Sequence, residues 1–198
     1  MTTPDPWYEV VGADTRLTQG DLILDCPLLA WTPGTPTSAS GEQDADLLQQ
    51  AASAFRADVV IMTQACDLEH DKVRNVVLCP HLALSTFRTL WEQALQQAGQ
   101  NPTAKAWRSL CNDIADGYVW NQAFLNHYEG DPEVLGTELR LVDFHDIFTV
   151  PRWFLESLLQ QRQAPRLRLR PPYREHLSQA FARFFMRVGL PTSLTKTW

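Results

Sequence analysis

Hydrophobic and polar residues follow two rhythms along this chain, and the change from one to the other predicts where strands give way to helices. Trp7–Val11 and Leu22–Leu29 read as strands, the second after a turn at Thr18-Gln19-Gly20-Asp21 where Gly20 supplies backbone freedom. The run LILDCPLLAW alternates poorly, which predicts burial on both faces and puts Pro27 at an edge or a bulge. Val59–Met62 and Val76–Leu78 frame a hairpin around a polar loop, and Gly117–Asn126 and Leu139–Phe144 have strand-like composition. Arg166-Leu167-Arg168-Leu169-Arg170 has a strict period of two, which predicts an edge strand with its arginines on one face.

Between these runs the period lengthens. Leu47, Leu48, Ala51 and Phe55 behind Asp44 and Asp46 predict a helix over Gln43–Arg56, after a Thr/Pro/Ser/Gly loop at Thr32–Gly41. Phe87, Leu90, Trp91 and Leu95, then Trp107, Leu110 and Ile114, predict helices over Ser85–Ala98 and Thr103–Asp116, separated by Gly99-Gln100-Asn101-Pro102. Val150–Gln161 reads as a short amphipathic helix. The last helix, Tyr173–Val188, follows Pro171-Pro172, carries a stripe of Tyr173, Leu177, Phe181, Phe184 and Val188, and is capped by Gly189 with Pro191 behind. The expected architecture is one α+β domain over 1–198: a bent antiparallel sheet from 7–84 and 117–150, which the resemblance given below would curl into a partial SH3-like β-barrel, a helical hairpin inserted at 85–116, and a basic segment at 161–198 ending in an amphipathic helix.

Composition narrows the setting. At 198 residues and 44% hydrophobic content the chain can bury a full core. No run approaches the roughly 18 apolar residues of a membrane span. The opening MTTPDPWYEVVG has neither a basic start nor an apolar stretch, so a cytoplasmic protein is expected. Cys26, Cys66, Cys79 and Cys111 are then expected as free thiols, and no cofactor is implied. The formal charge of -6 is unevenly spread: residues 1–160 hold 9 Lys/Arg against 22 Asp/Glu, and residues 161–198 hold 8 against 1.

The loop between the two central strands concentrates Thr63, Gln64, Cys66, Asp67, Glu69, His70, Asp71, Lys72 and Arg74, more reactive groups than a plain hairpin needs. Cys66, His70, Cys79 and His81 are the right residue types for tetrahedral zinc, although their spacing matches no standard finger or ribbon. Cys66 could act as a nucleophile with His70 or His81 as base and Asp67 as orienter, but Asp58, Asp67, Glu69 and Asp71 would raise a thiol pKa. Thr63, Gln64 and Asp67 are also residues that commonly satisfy turn backbone. In the tail, Arg162, Arg166, Arg168, Arg170, Arg174, Arg183 and Arg187, with Tyr173, Phe184 and Phe185 among them, suit phosphate contact with stacking, and equally suit docking onto acidic surface. An acidic chain overall is not the profile of a dedicated nucleic-acid binder.

Two resemblances sit on these residues. Gly20-Asp21-Leu22-Ile23, then Val59–Thr63, then Val76–Pro80 resemble the segments GDI, RPVVVLS and VIVAPI of the PemK and MazF type of toxin ribonuclease. That resemblance implies an SH3-like barrel and metal-independent cleavage of single-stranded RNA by an arginine and a hydroxyl. Thr63 takes the hydroxyl position, the arginine position falls on Ala57 with Arg56 one place early, and Arg74 is the other available guanidinium. The chain also resembles a group of bacterial proteins with T-Q-x-C-D-L followed by a Lys and a strand, here Thr63–Leu68, Lys72 and Val76–Pro80, and a closing PYREHLSQAFARFFMRVGLP at Pro172–Pro191, which implies no particular activity. The leading expectation is a cytoplasmic bacterial accessory or regulatory protein, of the kind found beside defence or toxin modules, that binds a protein partner through its Arg-rich tail and CDLE loop. The alternatives are an RNA-binding protein or ribonuclease of the PemK and MazF type, and a zinc-stabilised binding module.

Overall fold

A computed structural model describes residues 7–32, 51–130 and 138–186. The expected loop beyond Thr32, residues 43–50 of the expected first helix, and Arg187, Gly189 and Pro191 lie outside the described residues. The chain runs β1 (Tyr8–Val11), β2 (Leu22–Trp31), β3 (Ala52–Ile61), α1 (Ala65–Glu69), β4 (Asn75–Ala83), α2 (Leu84–Gln97), α3 (Ala104–Ala115), β5 (Gln122–Leu125), β6 (Arg140–Asp143), β7 (Phe148–Pro151), α4 (Arg152–Arg162), β8 (Arg166–Leu169) and α5 (Tyr173–Phe185). It is an α+β protein with an antiparallel sheet, an inserted helical hairpin and a C-terminal helix.

Strand β4 is the hub. Six strands pair in the order β2-β3-β4-β6-β5, with β7 also on β4, and β1 pairs β8 separately; the sheet is not closed into a barrel. β3 flanks β4 from Ile61↔Leu78 to Val59↔Pro80. β7 pairs from Leu78↔Phe148 to Asn75↔Pro151, and β6 from His81↔Val142 to Ala83↔Arg140. β6 and β7 therefore run end to end along β4, interrupted by the excursion at 144–147.

Alternation along β3 and β4 builds a core on each face. Val59, Ile61, Val76 and Leu78 pack with Leu68 of α1 and Leu155 and Leu159 of α4. Val60, Met62, Cys79 and Val142 pack with Tyr8 of β1, Leu167 and Leu169 of β8 and Leu177 of α5. The β1–β8 ribbon is tied to the main sheet through one turn: the Leu169 N–H donates to the Gly20 carbonyl, the Gly20 N–H to the Ile61 carbonyl, and the Ile61 N–H to the Asp21 carbonyl, each at 2.9 Å. Gly20 has a φ of +84°, and a Cβ there would stand 2.9 Å from Leu169 Cβ, so glycine is required.

Four expectations are corrected. Ala52–Arg56 is strand, paired from Trp31↔Ala52 to Pro27↔Arg56, and not helix. β2 is not buried on both faces: its pairing jumps between Ile23 and Cys26, a bulge with Asp25 at a φ of +50°, and that bulge breaks the alternation. The polar loop is not a plain turn, because it contains α1, pinned by buried Leu68. β8 forms as expected, but its arginines do not line an open edge, since Arg166 is buried and β8 bridges to Asp21.

The inserted hairpin stands as an arm. α2 buries no residue and α3 only Ile114. Its own cohesion comes from Trp107, whose ring centroid is 5.9 Å from Phe87 and 5.3 Å from Trp91, with the Arg88 guanidinium 5.7 Å from the same ring. Thr103 caps α3, its hydroxyl accepting from the Ala106 N–H at 3.1 Å.

Candidate functional site

The α1–β4 loop is tied down as a shelf by two arginines from elsewhere in the chain. Arg152, at the head of α4, donates from Nη1 to the Leu68 carbonyl at 3.1 Å, to the Asp71 carboxylate, and from Nε to Glu156 at 2.8 Å. Arg16 donates to the Glu69 carbonyl at 3.3 Å and lies 3.7 Å from Asp71. Asp71 adopts a φ of +53°, a conformation that Asp tolerates better than most residues, and so turns the chain into β4. On the shelf Gln64, Cys66, Glu69 and His70 are exposed, and Lys72 reaches Asp67 at 3.8 Å. The Cys66 thiol points at Gln64 Oε1 (3.8 Å) and Asp67 Oδ1 (3.7 Å), and among the described residues it has no hydrogen bond to an imidazole, so the possible cysteine–histidine pair is not formed.

The ribonuclease set is not brought together either. Thr63 is buried, and its hydroxyl accepts the Val77 N–H at 2.7 Å, extending the β3–β4 ladder by a side chain. Arg56 sits midway along β3, five residues before its last residue and so about 16 Å from it along the strand. Its guanidinium is ion-paired with Asp25 at 2.6 Å. Arg74 is exposed at the start of β4 and shares no contact with either.

The four possible zinc ligands also separate. Cys66 and His70 are on the exposed shelf, whereas Cys79 and His81 are buried within the sheet. Among the described residues no group of three or more His, Cys, Asp or Glu side chains converges on a metal position. Burial, with Asp143 nearby, pushes the Cys79 thiol up to about 12, and burial pushes Cys26 up to about 11. His81 belongs to a polar chain across the sheet: Asp58 accepts from Arg140 Nη2, and Arg140 Nε donates to His81 Nδ1 at 2.7 Å, which leaves the proton of the neutral ring on Nε2. Burial drives this imidazole down to about 3, with Arg140 adding to the depression and the Val59 carbonyl opposing it; Nε2 itself has no partner in hydrogen-bond geometry among the described residues.

Two arginines of the basic tail, Arg166 and Arg168, turn inward. Asp21, fully buried, accepts from Arg166 Nε at 2.8 Å and from Arg168 Nε at 2.5 Å. The rest of Arg166 satisfies the carbonyls of Gly12 (2.9 Å), Thr15 (2.6 Å) and Arg16 (3.1 Å), while Arg168 Nη2 donates to the Arg16 carbonyl at 2.6 Å. Arg170 is half-buried, its backbone N–H donating to the Trp7 carbonyl at 2.8 Å. Arg174 pairs with Glu175 at 2.7 Å, and Arg162 donates to the Leu24 carbonyl at 2.6 Å. Arg183 is exposed with its guanidinium 5.6 Å from the Trp120 ring centroid, on the rim of a groove of about 500 Å³ between α3, β5 and α5. Pairing within the chain, onto a buried carboxylate and not an acidic surface, therefore describes Arg166 and Arg168, and it removes them from any outward-facing set.

What remains open is a depression of about 500 Å³ where the shelf meets α4, lined by Asp71, Val73, Arg74, Asn75, Pro151, Arg152, Trp153 and Glu156. Trp153 is 67% exposed there. Among the described residues the Arg74 side chain makes no ion pair or hydrogen bond. Trp153, Arg152 and Arg16 were not in the sequence-derived set. Trp153 had a legible signal, since it falls three and four residues before Glu156 and Ser157 and so on the polar face of α4; the two arginine contacts span 84 and 53 residues and left none.

No helix among the described residues is long and apolar enough to cross a membrane. No family model matches the chain, and neither a curated protein nor a solved structure matches it significantly.

Proposed function

We propose that this chain is an accessory or regulatory binding protein of the bacterial cytoplasm that recognises a protein partner through the α1–β4 shelf and the depression at the head of α4. The carrying observation is that a two-thirds exposed tryptophan, Trp153, and the Arg74 guanidinium, which makes no ion pair or hydrogen bond among the described residues, line one depression beside a loop tied down by Arg152. Tryptophan and arginine supply most of the energy at protein interfaces when a rigid surround holds them in place. Arg166 and Arg168, turned inward onto Asp21, take no part in this contact, and the proposed surface is residues 64–75 and 151–156. RNA cleavage has less support, because the Thr63 hydroxyl is engaged by Val77 and Arg56 by Asp25.

Quantitative capture of host proteins on immobilised wild-type chain, Trp153→Ala and Arg74→Glu tests the proposal. A partner retained by wild type and lost on both variants supports it; equal capture on all three refutes it. Single-stranded RNA incubated with the chain in EDTA is expected to stay intact, and its degradation would instead favour the ribonuclease reading.

A further inference from the structure

Strand β5 is an edge of the main sheet, and it turns backbone hydrogen-bonding groups away from β6 into the groove between α3 and α5. The Phe144 N–H donates to the Asn121 carbonyl at 2.8 Å, in the same register as Ala123↔Val142 and Leu125↔Arg140, so residues 121, 123 and 125 bond to β6. The N–H and C=O of Phe124 and the Gln122 carbonyl therefore face outward, and none of the three has a hydrogen-bond partner among the described residues. The groove has two walls. On one, Ala123 and Leu125 pack with Leu177 and Ala180 of α5; residues 114–117, at the end of α3, form the other.

Going beyond the shelf and its depression, we infer that this groove takes an extended peptide segment of a partner protein, which adds to β5 as one further strand. The open backbone groups identify the occupant: a strand edge is satisfied by another extended backbone, and the flanking side chains then select among sequences. In antiparallel pairing the residue opposite Phe124 exchanges two hydrogen bonds with it, and a third goes to the Gln122 carbonyl. The charges of the groove balance, Arg183 against Asp116, so the paired residues of the segment carry no net charge and favour apolar side chains on the α5 wall. A second copy fits less well. Strands pair at about 4.8 Å, whereas a helix is about 10 Å across, so another β5, walled by the same two helices, does not approach to pairing distance.

The full chain, immobilised, is panned against a displayed random-peptide library, and the recovered peptides are re-assayed on Phe124→Pro, Ala115→Trp and Trp153→Ala. Phe124→Pro removes the outward N–H, which β6 does not use, and Ala115→Trp fills the groove from an exposed position. Each of these two should weaken the peptides by about tenfold or more, and Trp153→Ala should leave them unchanged. Methylating the peptide's backbone nitrogens one at a time should weaken binding at alternate residues only, the signature of strand pairing. If Phe124→Pro does not fold, Ala115→Trp and the methylation series decide. Peptides indifferent to Ala115→Trp, or weakened by methylation without alternation, overturn the inference, as does failure to recover any peptide. Peptides lost on Trp153→Ala alone belong to the depression; they overturn this inference and leave the proposed function standing. A dimer in sedimentation that is lost on Ala115→Trp replaces the partner segment by a second copy.

Discussion

Asp21→Ala is the substitution with the most calculable consequence. The carboxylate is fully buried, and its removal strands Arg166, 3% exposed, with its Nε donor unanswered and its charge uncompensated. Arg168 loses its partner at the same site. Breaking a buried pair from one side costs about 3–5 kcal/mol, because the surviving charge stays desolvated. Folded domains hold only about 5–15 kcal/mol in total, so the variant gives up a large share of its stability. At about 2–4 °C per kcal/mol for a chain of this size, the melting temperature should fall by roughly 6–20 °C. Urea unfolding followed by tryptophan fluorescence gives the free energy directly. Glu9→Ala is the internal control: it removes the other carboxylate near Arg168, half-exposed and 4.0 Å away, and should cost under about 0.5 kcal/mol. If Asp21→Ala costs under about 1 kcal/mol, or no more than Glu9→Ala, then Arg166 and Arg168 are not held by the core and their inward turn is wrong.

His81 has an ordinary pKa of 6.5 when unfolded and about 3 when folded; between these values only the unfolded chain takes up the proton, so stability is full above pH 6.5 and is lost as pH falls toward 3. Unfolding free energies should therefore drop by about 2 kcal/mol from pH 7 to pH 5, and His81→Gln should flatten that slope; an unchanged slope would show that His81 is not the group responsible. Gly20→Ala forces a left-handed alanine against Leu169 and should cost about 2–4 kcal/mol in the same urea assay, whereas a neutral result would contradict the close approach of the ribbon to the sheet. With a disulfide-exchange reagent at pH 8, Cys66 should react in the native state, and Cys26 and Cys79 only on unfolding; rapid native reaction of Cys79 would contradict its burial.

The elements that a periodic pattern could announce were legible, and those that depend on distant partners were not. Leu167 and Leu169 alternate because β8 has one apolar face on the core, and α2, α3 and α5 carry their stripes and their stops in plain view. The start of β3 was misread because Ala52, Ser53 and Ala54 are all exposed, so no burial imposes alternation, and only the pairing with β2 makes them strand. β7 is four residues long and runs straight into α4, too short for its pattern to separate from the helix that follows. The same limit applied to function. Local density drew attention to residues 64–74, several of which are exposed, but composition could not tell an outward arginine from an inward one. Arg166 and Arg74 look alike in sequence; one lies on Asp21, 145 residues away, and the other on nothing among the described residues.

Hydrogen exchange of the full chain, with and without a saturating amount of the partner captured from the host, tests the central claim most directly. Protection is predicted at residues 64–75 and 151–156, with the amides of β8 and α5 unchanged. Protection concentrated instead at 166–185, with the shelf and the head of α4 unaffected, would contradict it.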